Sequence, residues 1–141
     1  MKKQEIAGFT LIEAMVLVAV LGILAAIGIP NYSRYVTRGH LVEAGNALAD
    51  YRTRMEQFYK DNRTYAKAGM CGEAAPTNLE SFAISCVVGI GGQAFTATAT
   101  GAGSTAGFVY TINQANLRAT AAIPSHWGSL TRDARNTWVT R

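Results

Sequence analysis

An apolar run of 21 residues, Phe9 to Ile29, contains no charged residue except Glu13 and constrains this chain more than any other feature. As an α-helix it would be about 31 Å long, enough to cross a hydrocarbon core of about 30 Å. The leader before it carries two lysines, which place that end in the cytoplasm. In a secretory signal the apolar part precedes the small-residue cleavage site. Here the small residue, Gly8, comes first, so cleavage after it would keep the apolar segment as the new N-terminus.

The residues around this junction resemble the class III signal of type IV prepilins and pseudopilins. The resemblance implies that a prepilin peptidase cuts between Gly8 and Phe9 and methylates the new Phe9 amine. It also implies a structural protein without an active site or cofactor, which is held in the inner membrane and then assembled with other pilins by an inner-membrane platform. The alternative that we keep open is a simple membrane anchor in which the acid is incidental. The matching residues are Gly8, Phe9, Thr10, Leu11, Glu13, Gly22 and Pro30.

Glu13 lies about one turn into the apolar segment, where a carboxylate costs about 2.5–3.5 kcal/mol near the centre of a bilayer. No basic residue lies between Phe9 and Tyr32, so the segment itself does not neutralise it. Cleavage would create a cationic amine on Phe9. The family resemblance implies that Glu13 of one subunit pairs with this amine of another during filament assembly.

An amphipathic helix is predicted after Pro30, because apolar residues recur at spacings of three and four from Leu41 to Phe58. We expect one helix from Phe9 to Asp61, with Asn62 supplying the left-handed residue at its end. Gly22 and Pro30 predict a break or kink. The resemblance implies that the stretch between them loosens when subunits pack in a filament.

Beyond residue 66 the periodicity changes to two, which predicts three or four short strands. Gly-rich turns between them favour an antiparallel meander covering the helix, an α+β head. A mobile loop is expected over Thr98–Gly107, which has few large side chains. The predicted strands are Phe82–Val88, Ala94–Thr100, Phe108–Ile112 and Leu117–Ile123.

Cys71 and Cys86 are the only cysteines, and an even pair on the periplasmic side of a membrane favours a disulfide. It would close 14 intervening residues, worth about 3 kcal/mol in the chain-entropy model. Two cysteines with two distant histidines, His40 and His126, do not make a four-ligand zinc site, and no metal is expected. Neither histidine belongs to a recognisable catalytic motif.

The sequence from Glu56 to Tyr65 resembles the end of the long helix in PilE-like minor pilins. Many members have glycine where this chain has Arg63, so the turn conformation is open. Tyr59 and Tyr65 are interpreted as packing under the helix end rather than as ligand contacts.

The net charge is +4, and +3 without the leader, which does not by itself indicate a nucleic-acid-binding protein. After residue 81, however, the sequence contains four arginines and only one acidic residue, Asp133. Three aromatic residues in the same region could stack on bases. DNA contact is therefore an alternative function. The residues concerned are Arg118, Arg132, Arg135 and Arg141, with Tyr110, Trp127 and Trp138.

The resemblance thus implies a type IV pilus subunit of the minor class with the type IV pilin fold. Its expected parts are a cleaved leader (1–8), a transmembrane and filament-core helix (9–29), an amphipathic continuation (30–62) and a head (63–141). The head would face the periplasm before assembly and the outside of the cell afterwards. A pseudopilin of a type II secretion system and a DNA-uptake pilin remain the alternatives.

Overall fold

The computed structural model describes residues 9–130 and 137–140. Its contacts divide the chain into two compact units, Met1–Val36 and Thr37–Arg141. The boundary falls within the predicted amphipathic segment. One helix, α1 (Leu11–Asn62), contributes residues to both units, and its length and composition would allow it to cross a membrane.

Helix α1 begins with a side-chain cap from Thr10. The Glu13 backbone N–H donates to Thr10 Oγ1 at 3.3 Å, and the Ala14 N–H donates to the Thr10 carbonyl at 3.2 Å. Threonine followed three residues later by glutamate is the sequence pattern of a capping box, which satisfies donors that a helix start leaves unpaired.

Within the first unit the helix continues through Gly22 and Pro30 without a break, and a kink at these residues stays a prediction. Proline removes one backbone donor, but the neighbouring turns retain other bonds. The Asn31 side-chain amide donates to the Ile27 carbonyl at 2.9 Å, and the Ser33 hydroxyl donates to the Pro30 carbonyl at 3.0 Å. Loosening of this stretch on assembly stays a prediction.

In the second unit one stripe of α1 enters the core, as the spacing predicted. Its apolar positions recur every three or four residues and therefore share one face of the helix. Phe58, the last predicted member, is only half-buried. The buried residues are Thr37, Leu41, Ala44, Gly45, Leu48, Tyr51 and Met55.

A four-stranded antiparallel meander supplies the other side of this core. Its strands are β3 (Phe82–Val88), β4 (Phe95–Gly101), β5 (Val109–Asn113) and β6 (Arg118–Ala122), and they lie side by side in that order. The predicted strands agree with the observed ones to within one residue at each end. Alternate residues of β4 and β5 are buried, since successive side chains of a strand point to opposite faces.

Several short elements were not predicted. A two-stranded hairpin, β1 (Ala66–Lys67) and β2 (Met70–Cys71), follows α1. Three 3₁₀ turns occupy Ile90–Gly92, Gly103–Thr105 and Ser125–Trp127. Elements of two or three residues are too short to produce a recognisable periodicity.

Thr98–Gly107 is not the unanchored loop that the sequence analysis expected. Residues up to Gly101 belong to β4, and the next turn is anchored by Thr105, which is fully buried. Its hydroxyl is 2.6 Å from the Ser81 carbonyl and 3.0 Å from that of Ala102. A buried threonine that bonds two backbone carbonyls is an anchor that residue size does not indicate.

Candidate assembly segment and cationic end

The first candidate site is the apolar surface around Glu13. Large apolar side chains from Phe9 to Ile29 are exposed all round the helix, whereas those of the head are mostly buried. Glu13 lies in the first helical turn, among Ile12, Val16 and Leu17. The helix can therefore present one carboxylate on an otherwise apolar surface. Gly8 lies outside the described residues, so the cleavage and the methylation of Phe9 stay predictions.

The predicted disulfide is present in the head. Cys71 of β2 is bonded to Cys86 of β3, with the two Cα atoms 6.1 Å apart. It ties the small hairpin to the β3 edge of the sheet. In the part of the chain that the structure describes, no group of His, Cys, Asp and Glu is arranged to hold a metal ion. His40 Nδ1 lies 3.5 Å from Glu43 Oε2 on the same helix, and His126 is exposed.

Tyr59 and Tyr65 pack at the end of α1, as interpreted from the sequence. Their rings are stacked with centroids 4.5 Å apart. The Tyr65 hydroxyl donates to Glu56 Oε1 at 2.9 Å, and the Tyr59 hydroxyl donates to Gln93 Oε1 at 3.0 Å. Burial, reinforced by the hydrogen bond to Glu56, raises the pKa of Tyr65 to about 12. Both hydroxyls therefore donate their hydrogen bonds to other side chains of the protein.

The residue that turns the chain after α1 is Arg63 rather than Asn62, which corrects the sequence interpretation. Arg63 has a φ of 58°, in the left-handed region, and its N–H donates to the Tyr59 carbonyl at 2.7 Å. Asn62 is the last helical residue, and its side-chain amide donates to the Phe58 carbonyl at 3.0 Å. Arg63 thus occupies the conformation that glycine adopts at little cost.

The end of α1 is bonded to the turn between β3 and β4. The Tyr65 N–H and the Thr64 hydroxyl both donate to the Gly92 carbonyl, at 2.7 and 3.2 Å. The Gln93 side-chain amide donates to the Arg63 carbonyl at 3.1 Å. These bonds place the helix end, the small hairpin and this turn at one end of the head.

The turn between β5 and β6 reaches the same end of the sheet. The Gln114 side-chain oxygen accepts from the Phe95 N–H at 3.3 Å, and the Gln114 carbonyl accepts from Arg52 Nη2 at 3.2 Å. Arg118, the first residue of β6, follows this turn. Four exposed cations therefore belong to the segments that meet here, and we call this set the cationic end: Lys60, Arg63, Lys67 and Arg118.

The aromatic residues proposed for stacking have different environments. Tyr110 is fully buried, its hydroxyl donates to the Val139 carbonyl, and burial raises its pKa, so it is unavailable to bases. Trp127 is half-buried, packs edge-on against Phe108 and lies near the Arg38 guanidinium. The Tyr110 interpretation was wrong because alternation along β5 turns that ring inward.

Trp138 lies between the helix, the sheet and Arg118. Its indole Nε1 donates to the Thr111 carbonyl at 3.0 Å. A side chain on Gly45 of α1 would meet its ring at 3.0 Å. The Arg118 guanidinium lies 4.8 Å from the ring centroid. The remaining proposed DNA contacts, Arg132, Arg135 and Arg141, lie outside the described residues.

Comparison with known proteins identifies the family. Residues 30–109 match the family model described as "Type IV minor pilin ComP, DNA uptake sequence receptor". Over 145 aligned residues, the chain is 32% identical to fimbrial protein Q of Moraxella bovis, with 94% of this chain and 83% of that protein covered. The chain belongs to the type IV pilin family.

Other pilins match over shorter regions. The identity to fimbrial protein EcpC of Eikenella corrodens is 36%, over 71% of this chain and 65% of that protein. A type IV major fimbrial protein FimA of Dichelobacter nodosus is 42% identical over 45% of this chain and 39% of its own length. The chain thus spans less than two thirds of these relatives. A type IV pilin structure from Shewanella oneidensis has 14% identity and a TM-score of 0.48, covering 58% of this chain and 89% of that one.

The type IV pilin family to which this chain belongs consists of structural proteins rather than enzymes. The long helix of this chain, packed in the head on a four-stranded antiparallel sheet, is the type IV pilin fold that the sequence predicted. Neither the left-handed Arg63 nor the cationic end was predicted as such. The glycine that many family members have at position 63 was the one available signal for the former.

Proposed function

We propose that this pilin is a minor subunit of a type IV pilus that enters the filament through residues 9–29. The observation that carries the proposal is the exposed apolar helix surface with a single carboxylate, Glu13. An apolar helix of this length is stable in a bilayer before assembly and among other such helices afterwards. The match to a minor-pilin family model supports the minor class.

In this proposal a prepilin peptidase removes residues 1–8, and the new Phe9 amine of one subunit pairs with Glu13 of a neighbour. The head lies in the periplasm until the assembly platform inserts the subunit. The pairing offsets the cost of a carboxylate in an apolar environment, about 2.5–3.5 kcal/mol near the bilayer centre. An ion pair inside the packed helices also favours one axial position of neighbouring subunits over others.

Two substitutions test this proposal. Gly8→Val should leave the leader attached and prevent assembly, because the small residue at the cleavage site is lost. Glu13→Ala should be cleaved and inserted normally but reach filaments at a reduced level. Immunoblots of sheared filaments and membrane fractions measure both, and mass spectrometry should find methylated Phe9 at the filament protein's N-terminus. Equal incorporation of Glu13→Ala and wild type would refute the pairing, and an intact Met1 in filaments would refute the processing.

The second candidate function is DNA contact by the head, which the cationic end favours. Apart from Arg118, residues 81–130 contain no charged side chain, so no carboxylate from the sheet opposes these cations. Asp61 is the nearest acid in sequence. Four strands span about 14 Å at about 4.8 Å spacing, which is wide enough to meet several phosphates of a duplex. The matched family model names a DNA uptake sequence receptor.

Fluorescence anisotropy with labelled duplex DNA separates this function from pilus assembly. Changing Lys60, Arg63 and Lys67 to Gln should weaken binding and lower the salt dependence, whose logarithmic slope is about 0.9 per phosphate contact. The matched control changes Arg34, Arg38 and Arg54 to Gln, for the same loss of charge. A third variant, with Gln at Arg118, Arg132, Arg135 and Arg141, tests the contacts proposed from the sequence. Equal weakening by the first set and the control would indicate non-specific attraction.

A further inference from the structure

The helix surface directly after the apolar run combines two tyrosines and an arginine. Tyr32 and Tyr35 are three residues apart, on one side of the helix, with about three quarters of their surface exposed. Arg34 lies between them in sequence and is also exposed. We call these three residues the collar. All of them belong to the first compact unit.

We infer that the collar binds the phosphate groups of anionic phospholipids at the periplasmic surface of the membrane. The inference rests on the proposed insertion of residues 9–29. If Ile29 lies at the edge of the hydrocarbon core, Tyr32 follows about 4.5 Å beyond it and Tyr35 about 9 Å. The headgroup layer on each side is about 5–7 Å thick. The collar therefore begins within that layer and reaches its outer surface.

The direction of the side chains brings them closer to the lipid. Each Cα–Cβ bond of an α-helix tilts toward the N-terminus, which is the membrane side here. Tyr35 and Arg34 therefore lean back toward the headgroups. Tyrosine is enriched at this depth because its ring is apolar and its hydroxyl is polar.

The charge of Arg34 selects the headgroup. Among the residues that the structure describes, no carboxylate forms an ion pair with Arg34, and in the sequence the nearest acids are Glu13 and Glu43. Its guanidinium can bind two phosphate oxygens at once, which a point charge cannot do. A lipid with net negative charge is therefore preferred over a zwitterionic one.

Native mass spectrometry of the full-length pilin in mild detergent tests this inference. With equal amounts of phosphatidylglycerol and phosphatidylcholine added, the wild type should retain more of the anionic lipid. Arg34→Gln should lower the ratio of the two retained lipids about fivefold, which corresponds to about 1 kcal/mol for one basic residue near an anionic surface. Arg34→Lys should give an intermediate ratio. The double change Tyr32→Ala and Tyr35→Ala should reduce retention of both lipids.

Arg54→Gln is the matched control, because it removes one cation from the head outside the cationic end. It should leave the ratio unchanged. An unchanged ratio in Arg34→Gln, or an equal fall in Arg54→Gln, would overturn the inference. Loss of Arg34→Gln from filaments with an unchanged lipid ratio would assign the collar to a second pilin subunit instead, and so would also overturn it.

Cell fractionation distinguishes a failure of the proposed function from a failure of the lipid contact alone. If the wild-type protein is absent from the membrane fraction, the proposed function fails and the collar with it. If it is in the membrane but Arg34→Gln changes nothing, only the lipid contact fails.

Discussion

At the scale of the residue, the backbone conformation of one position affects the stability of this pilin, and Arg63 is the clearest case. A left-handed conformation costs an L-residue with a side chain about 1–2 kcal/mol, whereas glycine adopts it freely. The Arg63 backbone keeps it because its carbonyl accepts from Gln93 and its N–H donates to Tyr59. The surrounding head thus offsets a local strain at the point where the helix ends.

We predict that Arg63→Gly makes the head more stable than Arg63→Ala by about 1 kcal/mol. Both variants lose the guanidinium and the long side chain, but only glycine relieves the strain. Urea denaturation of the full-length protein in detergent, followed by tryptophan fluorescence, gives the two free energies of unfolding. Equal values for Gly and Ala would show that position 63 is not strained.

The raised pKa of Tyr65 predicts that the head loses stability at alkaline pH. Its pKa in the folded protein is about 12, above the ordinary value of 10.0, so the folded state holds this proton more tightly than the unfolded state. The stabilisation is complete below pH 10 and is lost as the pH rises toward 12. We predict that Tyr65→Phe reduces this loss. Denaturation curves at pH 9 and pH 11 measure it, with Tyr32→Phe on the exposed helix surface as control.

At the scale of elements, the segment around Trp138 connects the edge of the sheet to α1. The Thr120 hydroxyl at β6 donates to the Thr137 carbonyl at 2.7 Å and accepts from the Val139 N–H at 3.0 Å. These bonds hold Trp138 beside Gly45, where α1 has no side chain. Helix, edge strand and C-terminal segment therefore depend on one another.

A double-mutant cycle tests this dependence. Trp138→Ala should cost about 3 kcal/mol of unfolding free energy, the lower end for a tryptophan in a core, because the ring is only partly buried. Gly45→Val should cost about 1–3 kcal/mol by overpacking against the ring. In the double variant the second cost should largely disappear, because the clash has no partner. Additive costs would contradict the contact.

At the scale of the whole molecule, the proposed assembly residue Glu13 and the residues that stabilise the head belong to different compact units. Glu13 is in the first unit, where its backbone N–H donates to Thr10 Oγ1, and Trp138 is in the second. The disulfide, the sheet and the core stripe of α1 are all in the second unit.

We therefore predict opposite profiles for two variants. Glu13→Ala should leave the urea midpoint of the head unchanged and reduce the amount of pilin in filaments. Trp138→Ala should lower the midpoint while its precursor is still cleaved and inserted. A shift of the head's midpoint in Glu13→Ala would show that the two units are energetically coupled.

The sequence by itself determined the features that repeat along the chain. The apolar run, the helical stripe from Leu41 to Met55 and the alternating strands are periodic signals, and each depends on neighbours within a few residues. The cysteine pair was predictable too, because only one pairing within the chain is possible.

Only the tertiary structure decided which distant segments meet. Arg63 and Gln93 are 30 residues apart, and Thr64 and Gly92 are 28 apart, yet their hydrogen bonds set the turn after α1 and bring the cationic end together. Trp138 is stacked beneath Arg118 for the same reason. A bond between residues so far apart leaves no trace in local composition or periodicity, because either partner alone has the same sequence surroundings whether or not the bond forms.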